Sequence, residues 1–243
     1  LFANENYSVI PFRTCTDKFS KLPFCVNNPL NLINKEKLET IFFVSPIKFF
    51  IPEINSGGCS LVLGLPFGLR GSVSMEYLNA KKFFTSDFMF SVQRKLFDKF
   101  NFANAFSINL TSIENFGKRW NFQSNVFLEY SPFNEISVSF ASINIFVLNK
   151  LQNQIHSFGI QYFDASHIIG TSINVCYKNF TSYSFYISFC PLENFSCGVD
   201  LRTNPQTLTL SFGYDFDEIE VFMFFQYNNT LLVSQTFCFS MKL

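Results

Sequence analysis

Cysteine and histidine are the residues of this chain with the most reactive side chains, and their spacing decides what chemistry they could perform. The seven cysteines are Cys15, Cys25, Cys59, Cys176, Cys190, Cys197 and Cys238. No two of them have the spacing of a Cys-x-x-Cys motif, so neither a zinc site nor a redox site is indicated. Cys15 and Cys25 are close enough in sequence to form a disulfide in an oxidising compartment. The odd total leaves at least one free thiol.

The sequence contains no recognisable enzyme motif. The histidines His156 and His167 have no cysteine or glutamate beside them, which favours structural packing over metal binding. The acidic residues 215–220 could offer oxygen ligands to Ca²⁺, but they are more typical of a solvated turn. A Gly-x-Ser-x-Gly elbow, a Walker loop and a dinucleotide-binding fingerprint are all missing from the sequence. We therefore expect no catalytic residue, no bound metal and no cofactor.

The composition excludes further classes of protein. The chain has 243 residues with 18 basic and 18 acidic side chains, so its formal net charge is zero. A nucleic-acid-binding protein needs an excess of cations to neutralise phosphates, so we expect no nucleic-acid partner. Charged residues are only 15% of the chain and aromatic residues are 19%, with 36 phenylalanines against one tryptophan. This composition, with a mean hydropathy of +0.17, is unusual for a soluble domain.

No segment of the sequence is apolar for long enough to form a transmembrane helix. Such a helix needs about 18 consecutive apolar residues. The best candidate, residues 41–51, is shorter and contains Ser45, Pro46 and Lys48. The apolar residues are instead spread along the whole chain. The only other structure that spans a bilayer is a closed β-barrel.

Apolar and small polar residues alternate from about residue 57 onward. In residues 84–95, for example, Phe88, Phe90 and Val92 alternate with Asp87 and Ser91. Successive side chains of a β-strand point to opposite faces, so each such run has one apolar and one polar face. Turns rich in Asn, Asp, Gly and Pro separate the runs. The pattern predicts roughly twelve to fourteen strands of about 9–11 residues, a length that crosses a bilayer when tilted.

We therefore predict an all-β fold, a transmembrane antiparallel β-barrel of about 14 strands over residues 38–243. A soluble β-sandwich or a propeller would also alternate. The barrel is favoured because the polar face carries Ser, Thr, Asn and Ala rather than Lys and Glu. Residues 1–37 do not alternate and contain Pro11, Pro23 and Pro29. They are predicted to be an irregular segment that serves as a plug or as a periplasmic tail.

Lys118, Arg119 and Trp120 form a predicted interfacial anchor. The pair of cations stands directly before the only tryptophan of the chain. Tryptophan and basic side chains are both favoured at the headgroup level of a bilayer. Lys81 and Lys82 are candidates for the same role.

Residues 25–32, Cys-Val-Asn-Asn-Pro-Leu-Asn-Leu, resemble the Asn-Pro-Ala-Gly-Leu motif of FadL-like outer-membrane proteins, with Asn27, Asn28, Pro29 and Leu32 carrying the resemblance. That superfamily includes long-chain fatty-acid transporters and the PorV/PorQ group associated with type IX secretion. The resemblance implies a fourteen-stranded barrel in which the N-terminal segment forms a hatch. It departs from the motif where Leu30 and Asn31 replace Ala and Gly. Met89, Phe127 and Phe158 would then be apolar contacts in the lumen.

The resemblance leads to a functional prediction with two alternatives. We expect an integral protein of the bacterial outer membrane, surrounded by outer-membrane lipids, that acts as a non-enzymatic subunit or docking partner of a larger envelope or secretion assembly. The first alternative is a FadL-like channel for small hydrophobic compounds. The second is a soluble all-β surface or adhesin domain. The channel requires a hydrophobic small molecule as its ligand, whereas the assembly subunit requires protein partners.

Overall fold

The computed structural model describes residues 38–46, 51, 53–97, 99–147, 154–164, 167–176, 180–192, 194–203, 206–216, 218–229 and 232–242. The predicted plug or tail, residues 1–37, lies outside the described residues. No helix among the described residues is long and apolar enough to cross a membrane.

The alternating segments form fourteen antiparallel strands. They are β1 (Leu38–Ser45), β2 (Asn55–Gly64), β3 (Leu69–Ala80), β4 (Phe83–Phe97), β5 (Phe100–Ile113), β6 (Gly117–Phe133), β7 (Ile136–Val147), β8 (Ile155–Phe163), β9 (His167–Cys176), β10 (Phe180–Leu192), β11 (Phe195–Thr203), β12 (Gln206–Phe216), β13 (Ile219–Asn228) and β14 (Leu232–Lys242). A short 3-10 turn, Pro66–Gly68, joins β2 to β3.

The strands form a closed barrel in which each strand pairs with its sequence neighbours and β1 pairs with β14. The closing register runs from Glu39 opposite Lys242 to Val44 opposite Phe237. Closure gives every strand a partner on both sides, which is the condition for a β-structure inside a bilayer. The fold confirms the predicted antiparallel barrel of fourteen strands, and it excludes the sandwich and the propeller.

The barrel has two rims that differ in their connections. The first rim holds the start of β1 and the end of β14, together with short turns such as the one between β4 and β5. The second rim holds the other connections, including the turns at residues 81–82 and 114–116. At the second rim the last described pair of β6 with β7 is Gln123 opposite Val147, and residues 117–122 pair with β5.

The outer face is apolar and has two aromatic bands. Tyr130, Tyr162 and Tyr214 face outward toward the first rim, and Tyr77, Trp120, Tyr183 and Tyr227 face outward toward the second rim. Trp120 and Tyr130 both lie on β6, about 33 Å apart along a strand that rises about 3.3 Å per residue. A tilt of about 40° reduces this separation to roughly 25 Å, the height of the apolar band of outer-membrane barrels. The outer face thus has the dimensions of a membrane-spanning surface.

Gly58 lies where two strands leave no room for a side chain. A Cβ atom at this position would be 2.3 Å from the carbonyl oxygen of Met75 and 2.6 Å from the ring of Phe43. We expect Gly58→Ala to destabilise the barrel by about 1–3 kcal/mol, because the backbone of β3 must shift. The measurement is the urea midpoint of unfolding in detergent micelles. Gly71→Ala is the control, since its Cβ would lie 3.0 Å from the flexible end of Leu65 and in ordinary contact, at 3.5 Å, with the carbonyl oxygen of Ser91. Equal losses in both variants would contradict this explanation.

Candidate functional site

The lumen is the candidate functional site, and most of its wall consists of small polar side chains. Successive side chains of a strand point alternately outward and inward. The inward positions are therefore those that lie between the outward apolar residues. Hydroxyl groups on neighbouring strands bind one another: Ser72 with Ser91 at 2.6 Å and Ser172 with Ser184 at 2.5 Å. Ser157 donates to the amide oxygen of Asn174. These pairs satisfy polar groups within the wall and leave its surface smooth.

Among the described residues, three clusters of buried apolar side chains interrupt the polar wall, and the two largest lie on opposite sides of the barrel. The third cluster, on β8–β10, consists of Ile168 and Tyr186 with Phe163 and Cys190. The first patch, centred on β6, consists of Met89, Ala103, Ala105, Phe127, Ala141, Ile143 and Ile155. The second patch, on β13, β14 and β1, consists of Ile41, Phe43, Phe222, Phe224 and Cys238. In a ring of fourteen strands, β6 and β13 are seven strands apart in either direction. The two patches therefore face each other across the lumen.

The largest side chains of both patches are cut off from water. Phe127 is 0% exposed although its cross-strand neighbours, Ala103 and Ala141, are both small. Phe224, in the second patch, is 2% exposed. Fourteen strands spaced about 4.8 Å apart and tilted by about 40° give a barrel roughly 25 Å across. Phenylalanines on opposite walls cannot cover one another over that distance, so each is shielded from water on its own side of the lumen.

Charged side chains also face inward, and they are held by neighbours. Asp200 Oδ2 lies 2.8 Å from Arg202 Nη2, and the two side chains are 12% and 6% exposed. Asn101 donates from Nδ2 to Glu129 Oε2 at 2.7 Å. Buried charges in a membrane protein are costly and are usually paired or functional. The wall thus combines apolar patches with fixed polar groups.

The structure separates the predicted lumen contacts into two groups. Met89 and Phe127 face inward and belong to the first patch. Phe158 does not face the lumen: it is 51% exposed on the outer face and packs on Phe140, with ring centroids 5.0 Å apart. The correction follows from the alternation of β8, where buried Ser157 and Gln161 occupy the inner face. Phe158 is therefore a lipid-facing residue.

The predicted interfacial anchor is also divided between two faces. Lys118 and Trp120 lie on the outer face of β6, on the same side as exposed Phe122. Arg119 lies on the opposite face, in line with Asn121 and the inner wall. Only two of the three anchor residues can thus contact lipid on this strand.

The family-motif residues Asn27, Asn28, Pro29 and Leu32 lie outside the described residues, as does the predicted pair Cys15 and Cys25. Among the described residues, Cys59 and Cys197 are free thiols. In that same part of the chain, no group of three His, Cys, Asp or Glu side chains could hold a metal ion.

The sequence pattern did not reveal the second patch. Residues 221–225, Val-Phe-Met-Phe-Phe, are apolar on both faces, so period two alone does not indicate which of them face inward. The pairing does, because Phe222 lies opposite Gly213 and Phe224 lies opposite Ser211. Small inward residues on β12 are the signal that could have located the patch.

A closed fourteen-stranded barrel with an apolar outer face and two aromatic bands belongs to the class of outer-membrane β-barrels. Comparison with solved structures supports this class. The toluene transporter TodX of Pseudomonas putida has a TM-score of 0.67 at 9% identity, covering 90% of this chain and 93% of that chain. The toluene transporter TbuX of Ralstonia pickettii has a TM-score of 0.65 at 7% identity, with 90% and 92% covered. The CymD monoaromatic hydrocarbon channel has a TM-score of 0.62 at 12% identity, with 90% and 92% covered.

At these identities the likeness shows the fold. The FadL-like family and its PorV/PorQ group, which residues 25–32 suggested, therefore stay predictions. No family model and no curated protein matches the sequence.

The ion pair between Asp200 and Arg202 generates a stability prediction. Arg202→Met leaves a carboxylate in a nearly water-free wall without its arginine, and removing one partner of a buried pair costs about 3–5 kcal/mol. We expect a lower urea midpoint of unfolding. The measurement uses the fluorescence of Trp120, the only tryptophan of the chain. The double variant D200N/R202M should recover part of the loss because no unpaired charge remains. An equal loss in the single and the double variant would argue against a paired role for Arg202.

Proposed function

We propose that this protein is a passive outer-membrane channel for small hydrophobic compounds and that it performs no enzymatic reaction. The observation that carries the proposal is the pair of opposed apolar patches, which are the two largest apolar clusters of a mostly polar barrel wall. The shared fold with two toluene transporters and a monoaromatic hydrocarbon channel supports it.

The patches supply what a hydrophobic solute needs in order to leave water. Transfer of apolar surface from water to an apolar contact is favourable by about 25 cal/mol per Å². A ring-sized solute that covers about 100 Å² of a patch therefore gains about 2.5 kcal/mol. Contacts of this size are strong enough to favour entry and weak enough to permit release, which is the requirement for conduction.

The channel replaces the assembly subunit as the favoured function. The prediction of a subunit or docking partner for an envelope assembly stays a prediction, since no described feature and none of the structural neighbours points to a protein partner. The lumen, by contrast, offers specific contacts for a hydrophobic ligand, Met89 and Phe127 among them.

Within this proposal, residues 1–37 are the plug of the barrel. The support is the inaccessibility of Phe127 and Phe224, which project from opposite walls past smaller neighbours. For a solute to pass, this plug must either move or leave a path along one of the patches. The motif residues Asn27 to Leu32 belong to this segment and are proposed to position it.

Phe127→Gln tests the channel. The substitution keeps a side chain of similar length but replaces the apolar contact with an amide, so we expect several-fold slower uptake. The measurement is uptake of radiolabelled toluene by proteoliposomes that contain the purified barrel.

Phe158→Leu is the matched control, because Phe158 lies on the outer face and should leave uptake unchanged. Folding of each variant is checked by the shift in gel mobility on boiling. If the unmodified barrel carries toluene no faster than empty liposomes, the proposed function is wrong. If Phe127→Gln behaves like Phe158→Leu, the first patch is not on the route.

Deletion of residues 1–37 tests the plug. If the segment fills the lumen, its removal should raise the single-channel conductance to small ions in a planar bilayer by severalfold, since a wide polar wall remains. The boiled and unboiled gel mobilities show whether the shortened barrel is folded. A folded deletion variant with unchanged conductance would contradict the plug.

A further inference from the structure

Two turns at the second rim form one connected projection, the hairpin tip, composed of residues 81–82 and 114–118. The backbone N–H of Glu114 donates to the carbonyl oxygen of Lys82 at 2.9 Å, and Lys82 Nζ lies 3.7 Å from Glu114 Oε2. The tip lies at the second-rim end of β6, on the rim side of Trp120. It therefore reaches past the aromatic band of the second rim.

The hairpin tip is basic and its cations are accessible. Lys81, Lys82 and Lys118 are all exposed, and Glu114 is the one acidic residue within the tip. Among the described residues, Lys81 and Lys118 have no ion-pair partner. The described turns of the first rim carry Glu135, Asp164 and Glu218 and one cation, Lys99. Arg94 and Lys95, near that rim, lie on strand β4 and not on a turn.

Aromatic side chains accompany these cations on the lipid-facing side. Trp120 is 52% exposed on the outer face of β6, two residues from Lys118 and on the same side of the strand. Phe84, two residues after Lys82, is also exposed on the outer face, and Phe116 projects from the turn. Aromatic rings at the edge of the hydrocarbon with cations directly beyond them match the layering of a lipid surface.

We propose that the hairpin tip binds the headgroup of a lipid that carries more than one phosphate. Three accessible cations on two adjoining turns complement clustered negative charge, whereas a single phosphate would engage only some of them. The aromatic residues favour a lipid over a free phosphate ion, because Trp120 and Phe84 contact acyl chains when the headgroup lies at the tip. This inference is independent of what passes through the lumen.

Energy transfer from Trp120 tests the proposal, since the only tryptophan lies beside the proposed site. The purified full chain is placed in phosphatidylcholine liposomes with a small fraction of dansyl-labelled diphosphoryl lipid A or dansyl-labelled phosphatidylcholine. We expect lipid A to be enriched around the protein, and the variant K81Q/K82Q/K118Q to reduce its relative affinity by up to roughly a hundredfold at low salt. Retention of the enrichment in the folded triple variant would overturn the proposal.

Arg119→Gln is the matched control for charge. Arg119 neighbours Lys118 on the same strand but lies on the opposite face, so this variant should keep the enrichment of lipid A. An equal loss in Arg119→Gln would show a diffuse charge effect instead of a site at the tip. Inorganic phosphate at the concentration of lipid A phosphate should not displace the lipid, and displacement would identify an ion site instead of a lipid site. The gel mobility of unboiled samples confirms that each variant is folded.

Discussion

The need to satisfy every backbone hydrogen bond without water is the constraint on which the rest of this structure depends. Within a bilayer no solvent is available to an unpaired N–H or C=O group, so a sheet must close on itself. The pairing of β1 with β14 meets this requirement. It also fixes the register of the entire ring, because a shift by one residue in any strand would send its apolar face inward.

Closure gives the two faces of each strand opposite tasks. The outer face must be apolar and large, which explains the abundance of phenylalanine. The inner face must be small where strands crowd, and Gly58 shows how closely the backbone and side chains approach there. An inward side chain that is larger than its neighbours therefore projects from the wall into the lumen. Phe127 and Phe224 are such side chains, and they define the two apolar patches.

The alternation of the sequence predicted the barrel, the strand number and the inward direction of Met89 and Phe127, because a period of two is a local property. The prediction that Phe158 lies in the lumen was wrong, because Phe158 alternates in step with outward Ile160 and Tyr162 while Ser157 and Gln161 face inward. The alternation could not locate the second patch, since residues 221–225 are apolar on both faces. The two patches face each other because their strands lie on opposite sides of the ring. That arrangement exists only once the barrel has closed.

A net charge of zero conceals an uneven distribution of charge that only the fold determines. Glu39, Glu129 and Glu220 are fully buried in the inner wall, where Ser240 donates to Glu39 and Asn101 donates to Glu129. Acids that are held inside the barrel cannot balance cations on its surface. Among the described residues, three buried acids against one buried base, Arg202, make the accessible charge less acidic than the described residues would be in total. Exposed lysines on projecting turns are available to bind anions, although the chain as a whole is neutral.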